Sequence, residues 1–138
     1  NDIKDSTYKN NGDKEEKIRY KIVEFAKTQI GKPYVYGATG NNSFDCSSFV
    51  QYVIKRTLGI TIPRVSAEQS VFKPKLHNNI KKGDLLFFET LGKGRISHVG
   101  MYIGNRQFIH TSSKSKRVTI SDFTVFYQDK FRWAVSII

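Results

Sequence analysis

A chain of 138 residues with 38% apolar and 13% aromatic residues can bury a hydrophobic core and suits one domain. Its 23 Lys and Arg against 12 Asp and Glu give a net charge of +11, which directs it toward polyanions: nucleic acid, an anionic membrane surface or an acidic wall polymer. No stretch is long and apolar enough to span a membrane, and the single cysteine, Cys46, excludes an internal disulfide.

Residues 1–13 are polar and are expected to form a linker or disordered tail, with the folded domain over 14–138. The start, Asn1-Asp2-Ile3-Lys4-Asp5, has no signal-peptide pattern. A first helix is expected from Asp13 as N-cap, with Glu15 and Glu16 in its first turn and Ile18, Ile22, Phe25, Ala26 and Ile30 along one face. Gly31 ends it, and Lys32-Pro33 cannot continue it. Tyr34-Val35-Tyr36 reads as extended, and 37–43 as a Gly/Asn/Ser loop. A second helix starts at Cys46 behind Asp45 as N-cap, with Phe49, Val50, Val53, Ile54 and Leu58 as its buried stripe and Gly59 closing it. A short helix is expected within Ser66–Phe72.

The remainder reads as strands. Leu85–Phe88 is a short apolar run after a Lys82-Gly83-Asp84 turn. His98–Ile103 alternates, with Val99, Met101 and Ile103 on one face and His98, Gly100 and Tyr102 on the other. A Gly104-Asn105 hairpin returns through Gln107–His110. Val118 and Ile120 mark another strand, and Phe131, Trp133, Val135 and Ile137 alternate in the last. Helices first and a meandering sheet afterwards mean α+β, with N-terminal helices on a mostly antiparallel sheet.

Cys46 at a helix start is either inert packing or a nucleophile. A helix N-terminus and a histidine partner both lower a thiol pKa, while the Asp45 charge opposes this. The Cys46 backbone N–H at that helix start is half of an oxyanion hole. A thiol hydrolase also needs a base and a group that orients it. His98 and His110 sit on adjacent strands and can supply both; His77 lies in a polar loop and has no role. Geometry constrains the pair. A two-residue Gly104-Asn105 loop would put the two imidazoles on opposite faces, so the catalytic reading requires an odd loop or a bulge that pairs Gly100 with His110. The rival use of Cys46, His98 and His110 is as zinc ligands, but no CxxC or HxxxH spacing accompanies them. A nucleic-acid role rests on charge alone and has no motif.

These residues resemble the NlpC/P60 cysteine peptidases. The likeness runs from about Ile18 to the C-terminus through Gly31-Lys32-Pro33-Tyr34-Val35-Tyr36-Gly37, Asp45-Cys46-Ser47-Ser48-Phe49-Val50, and Ile62-Pro63-Arg64-Val65-Ser66 with Gln69. It continues through Lys82-Gly83-Asp84-Leu85-Leu86-Phe87-Phe88 and His98-Val99-Gly100-Met101-Tyr102-Ile103-Gly104-Asn105, followed by Phe108-Ile109-His110. The resemblance implies a papain-like fold and a secreted or envelope-associated bacterial enzyme. It implies cleavage of the γ-D-glutamyl–diamino-acid bond of peptidoglycan stem peptides without metal or organic cofactor. It makes Cys46 the nucleophile, His98 the base, His110 the orienting group and Tyr34 the oxyanion partner of the Cys46 N–H. Asp45, Ser47, Arg64 and Ser66 would line the substrate subsite. Ser48 stands where the family usually has Gly, and Tyr36-Gly37-Ala38 where it has Trp-Gly-Gly. The expected partners are peptidoglycan peptide and anionic wall polymers, for a monomer fused to another cell-wall domain. Amidase or acyl-transfer chemistry on the same triad, and a non-catalytic wall-binding module, are the alternatives.

Overall fold

A computed structural model describes residues 2–138, with side chains described from Gly12 onward. The first helix, α1, spans Asp2–Lys27. It begins upstream of Asp13, which is therefore a helical residue and not the expected N-cap; the expected tail over 1–13 otherwise lies outside the described side chains. Ile22, Val23 and Ala26 are buried on its inner face, whereas Ile18 and Ile30, at the ends of the expected stripe, are exposed. Ile30 falls beyond the helix, in the turn that closes at Gly31 with φ of 96°.

Helix α2 spans Cys46–Leu58. The Asp45 carboxylate accepts from the Ser48 N–H at 2.8 Å, and the Ser48 hydroxyl accepts from the Asp45 N–H at 3.0 Å. This reciprocal capping box satisfies two of the donors a helix start leaves open. Gly59 closes α2 in the left-handed region, with φ of 73°. Between the caps, Phe49, Val50, Val53 and Ile54 are buried, and Tyr52 meets Phe25 of α1 at 5.9 Å between ring centroids. A one-turn helix, α3, follows at Ser66–Gln69.

Five strands then form one antiparallel sheet: β1 (Leu85–Phe88), β2 (His98–Gly104), β3 (Gln107–His110), β4 (Thr119–Asp122) and β5 (Phe131–Val135), in the order β4-β3-β2-β1-β5. The first four make a meander, and β5 returns to pair with β1 on its other side. A short helix missed in the sequence, α4 (Val125–Lys130), precedes β5.

The sheet is buried on both faces, which is why β1 is apolar at every position. Leu85, Phe87, Val99, Met101, Ile109 and Val135 pack with α1 and α2 in the main core. Leu86, Phe88, Phe108 and Ala134 form a second core, covered by Leu76, Ile80, Phe123, Tyr127 and Phe131. Each fully buried phenylalanine here contributes roughly 1.5–3 kcal/mol through desolvation. Phe131 is a correction to the expected alternation of the last strand. The β1–β5 register shifts between Phe87 and Phe88, so Phe131 pairs with Phe88 and joins the second core while Trp133 and Val135 face the helices.

Arg19, buried on α1, pins that helix to the sheet. Its guanidinium donates to Asp84 at 2.8 Å and to the Lys82 carbonyl at 2.8 Å, and reaches Glu15 at 3.2 Å. The second Asp84 oxygen accepts from the Lys81 N–H at 2.8 Å. A buried ion pair needs this degree of hydrogen bonding to offset its desolvation.

Candidate active site

The β2–β3 hairpin meets the geometric requirement set by its histidines. Met101 pairs with Ile109 and Tyr102 with Phe108, but Gly104 pairs with Gln107, so one extra residue, Ile103, is bulged out of β2. The turn itself is Asn105-Arg106, both left-handed at φ of 54° and 57°, as a two-residue type I′ turn demands. The bulge sets Gly100 opposite His110 and brings both imidazoles to one face. His98 Nε2 lies 2.8 Å from His110 Nδ1.

His110 is held from its far side as well. Its Nε2 lies 2.7 Å from the Ser121 hydroxyl on β4. Phe108 packs against its ring at 4.5 Å and Tyr127 meets it edge-on at 5.7 Å. Burial in these aromatic surroundings pulls His98 down to about 4. It pulls His110, with help from His98, down to about 3. Both imidazoles are therefore neutral at neutral pH.

Cys46, at the first turn of α2, is half-buried. The backbone N–H groups of Val99, Ser47 and Cys46 itself are turned to its sulfur. Cys46 packs against the main core, which includes Val99, the residue that follows His98 at the start of β2. The helix start and the Asp45 charge pull the thiol in opposite directions, as the sequence implies. Burial, then the Asp45 charge, outweigh the three N–H groups and push the thiol up to about 11. The resting site thus holds a neutral thiol beside neutral imidazoles.

Tyr34 is clamped between the two halves of the site. Pro33 and Val35 hydrogen-bond Phe44, just before Asp45 and Cys46, while the Tyr34 N–H donates to the Lys116 carbonyl at 2.9 Å. Burial, then the charges of Cys46 and Asp45, raise the phenol pKa.

Asp45, Ser47 and Arg64 form one cluster. Arg64 donates to the two Asp45 oxygens at 3.1 and 2.8 Å, to Ser47 Oγ at 2.9 Å and to the Ala38 carbonyl at 3.0 Å. Burial alone would raise the Asp45 carboxyl, but hydrogen bonds from Arg64 and from the Ser48 N–H, with the Arg64 charge, hold it below the usual carboxylate value. Ser66 opens α3 and is tied to this cluster only through its helix: Gln69 donates to the Ser47 and Pro63 carbonyls at 3.0 and 2.7 Å. Three contributors escaped sequence reasoning: Ser121, the Val99 N–H and the Lys116 carbonyl. Their side-chain types carry no motif, and only strand register reveals them.

The zinc alternative fails on donor geometry. His98 and His110 turn ring nitrogens toward each other rather than to a shared point, and among the described residues no three His, Cys, Asp or Glu converge as metal ligands. The cavity of about 1050 Å³ between α1 and the Lys81-Lys82 turn is lined by Gly104 at the far end of β2 from His98, roughly 20 Å away by strand rise. It is no part of this site.

Comparison with known proteins agrees with the fold. The chain is 44% identical over 102 residues to the gamma-DL-glutamyl hydrolase of Bacillus subtilis (strain 168), covering 72% of this chain and 24% of that protein. It is 38% identical over 103 residues to the murein DD-endopeptidase MepH of Escherichia coli (strain K12), covering 72% of this chain and 38% of that one. The chain therefore spans well under half the length of these curated relatives. Among solved structures, an NlpC/P60 family protein from Bacillus cereus ATCC 10987 superposes with a TM-score of 0.79 at 35% identity, over 86% of this chain and 39% of that one. The NlpC/p60 domain of the peptidoglycan hydrolase SagA superposes with a TM-score of 0.75 at 32% identity, over 86% of this chain and 98% of that one. Residues 31–136 match the NlpC/P60 family as a whole, and with a TM-score of 0.75 over 98% of a solved family domain the chain belongs to the NlpC/P60 family.

Proposed function

We propose that this chain is a cysteine peptidase domain that hydrolyses peptidoglycan stem peptides at the γ-D-glutamyl–diamino-acid bond, outside the cytoplasm. The observation that supports the reading is the hydrogen-bonded His98–His110 pair on β2 and β3, with the capped α2 start that bears Cys46 packed on the same core as Val99.

The chemistry follows from the resting protonation. A neutral His98 is ready to accept a proton, and the thiol has one to give. As Sγ bonds to the scissile carbonyl carbon, its proton passes to His98, and the carbonyl oxygen gains the negative charge. The Cys46 N–H and the Tyr34 hydroxyl hold that charge. The C–N bond then breaks, His98 gives its proton to the leaving amine, and the peptide remains as a thioester on Cys46. His98 next takes a proton from water as the water attacks the thioester carbon; the C–S bond then breaks, the peptide leaves as a carboxylic acid, and the sulfur takes the proton back from His98 to restore the thiol. His110 orients His98 throughout. Arg64 and Asp45, with Ser47 and Ser66, recognise the charged ends of the stem peptide; the Arg64 side chain is 33% exposed and can still meet a carboxylate. No step uses a metal or organic cofactor. The net charge of +11 favours adsorption to anionic wall polymers, and the domain acts as a monomer fused to another cell-wall module.

Mass spectrometry of products from defined stem peptides tests the bond. Cleavage between D-glutamate and the diamino acid is expected. The DD-endopeptidase name of the Escherichia coli relative favours, as a second reading, cleavage of D,D cross-links. Products cut only at a cross-link would select it, and products carrying a new acyl acceptor instead of water would select acyl transfer.

A further inference from the structure

The two hydrogen bonds of the histidine pair permit only two proton arrangements. Each imidazole is neutral and carries one N–H. In the first arrangement His98 Nε2–H donates to His110 Nδ1, and His110 Nε2–H donates to Ser121 Oγ. In the second every bond is reversed: the Ser121 hydroxyl donates to His110 Nε2, and His110 Nδ1–H donates to His98 Nε2. The consequence appears at the other end of the chain. Nδ1 is the His98 nitrogen left over once Nε2 is engaged by His110, so it is the one that must take the thiol proton when His98 acts as base. The first arrangement leaves a lone pair on Nδ1. The second fills Nδ1 with a proton and makes it useless as a base.

We propose that Ser121 is a positioning residue that favours the Nε2–H tautomer of His98 by accepting the proton of His110 Nε2. The proposal deepens the reading of His98 as base and rests on it. Ser121 suits the task for two reasons. It stands opposite Phe108 in the β3–β4 ladder, one step diagonally from His110, so the strand pairing itself aims Oγ at the ring. It is also only half-buried, so its own hydroxyl proton can point to solvent while its lone pair takes the imidazole proton. The surfaces packed on His110, Phe108 and Tyr127, offer ring faces and edges that cannot replace a hydroxyl acceptor. Ser121 does not touch the reacting atoms; its effect passes through His110.

The test compares Ser121→Thr with Ser121→Val. Both add one heavy atom to the same β-strand position, and they differ only in hydroxyl against methyl, so packing is matched and water is kept out of the place of Oγ. Ser121→Thr is expected to keep the wild-type kcat. Ser121→Val is expected to lower kcat about tenfold or more at unchanged KM, within the ~10⁴-fold ceiling for a wrong catalytic tautomer. Nitrogen-15 NMR of the imidazoles should show His98 as Nε2–H in the wild type and in Ser121→Thr, and a population shift toward Nδ1–H in Ser121→Val. Equal kcat in the two variants, or an unshifted His98 tautomer in Ser121→Val, overturns the role of Ser121. Survival of activity in His98→Ala would instead remove the reading of His98 as base, so the two failures are distinguishable.

Discussion

Gly100 is the residue on which the alignment of His98 and His110 depends most sharply. A Cβ added there would sit 2.8 Å from Phe108 Cδ2, 3.3 Å from His110 Cβ and 3.4 Å from the Ile109 carbonyl oxygen. Carbon atoms rest at about 3.5–4.0 Å, so in Gly100→Ala the Phe108 ring must retreat by roughly 1 Å. It has nowhere to go. Its neighbours are His110 at 4.5 Å, Tyr127 at 4.9 Å, Phe88 at 5.3 Å and Phe123 at 5.7 Å between centroids. Overpacking of such a site costs about 1–3 kcal/mol. For a chain of 138 residues that is a fall in Tm of roughly 3–5 °C per kcal/mol. Because His110 is the second atom set displaced, turnover should fall further than stability does; a misplacement of ~1 Å in a catalytic array costs up to about 10²-fold. Thermal melting and turnover on a defined stem peptide measure the two effects. A Gly100→Ala variant with wild-type Tm and wild-type kcat would refute the reasoning.

Asp84→Ala removes the partner of the buried Arg19, and a loss of about 3–5 kcal/mol is expected in urea unfolding; a loss within experimental error would show the pair to be incidental. Burial holds His98 and His110 at about 4 and about 3, below the 6.5 of the unfolded chain. The unfolded state therefore binds protons that the folded state refuses, so stability is full above pH 6.5 and falls as the pH drops toward 4 and then 3. The double variant His98→Gln, His110→Gln should flatten that decline, and an unchanged acid limb in it would contradict the assignment. The Cys46 thiol, pushed up to about 11 by burial and the Asp45 charge, should alkylate with iodoacetamide at a rate that is still climbing at pH 9. A plateau near neutral pH would mean that a thiolate–imidazolium pair exists in the free enzyme.

Local features were legible where one chemical group decides them. Asp45 and Gly59 mark the ends of α2 because a carboxylate cap and a left-handed glycine are local requirements. The alternation of His98–Ile103 was legible for the same reason, and demanding that two histidines share a face required an odd loop or a bulge, of which the hairpin has the bulge. What failed was whatever depended on tertiary partners. Phe131 alternates with Trp133 in sequence, yet a register shift against β1 sends it to the opposite face. Ile18 is expected on the buried stripe, yet it is exposed and its neighbour Arg19 is buried, because Arg19 pairs with Asp84 just before β1. Ser121 carries no signal at all until β4 is laid beside β3. A helix start was visible in the sequence, but the packing of Cys46 against the main core was not, and desolvation is the largest influence on its thiol.

The central claim is that Cys46 attacks the substrate with His98 as its base. Its most direct measurement is the turnover of a purified, defined stem peptide by the wild type and by Cys46→Ala, with mass spectrometry of the intact protein under single-turnover conditions. The wild type should cleave the peptide and show a transient mass increase equal to the acyl half of the substrate, and Cys46→Ala should show neither. Turnover by Cys46→Ala, or an adduct that forms without Cys46, would contradict the account.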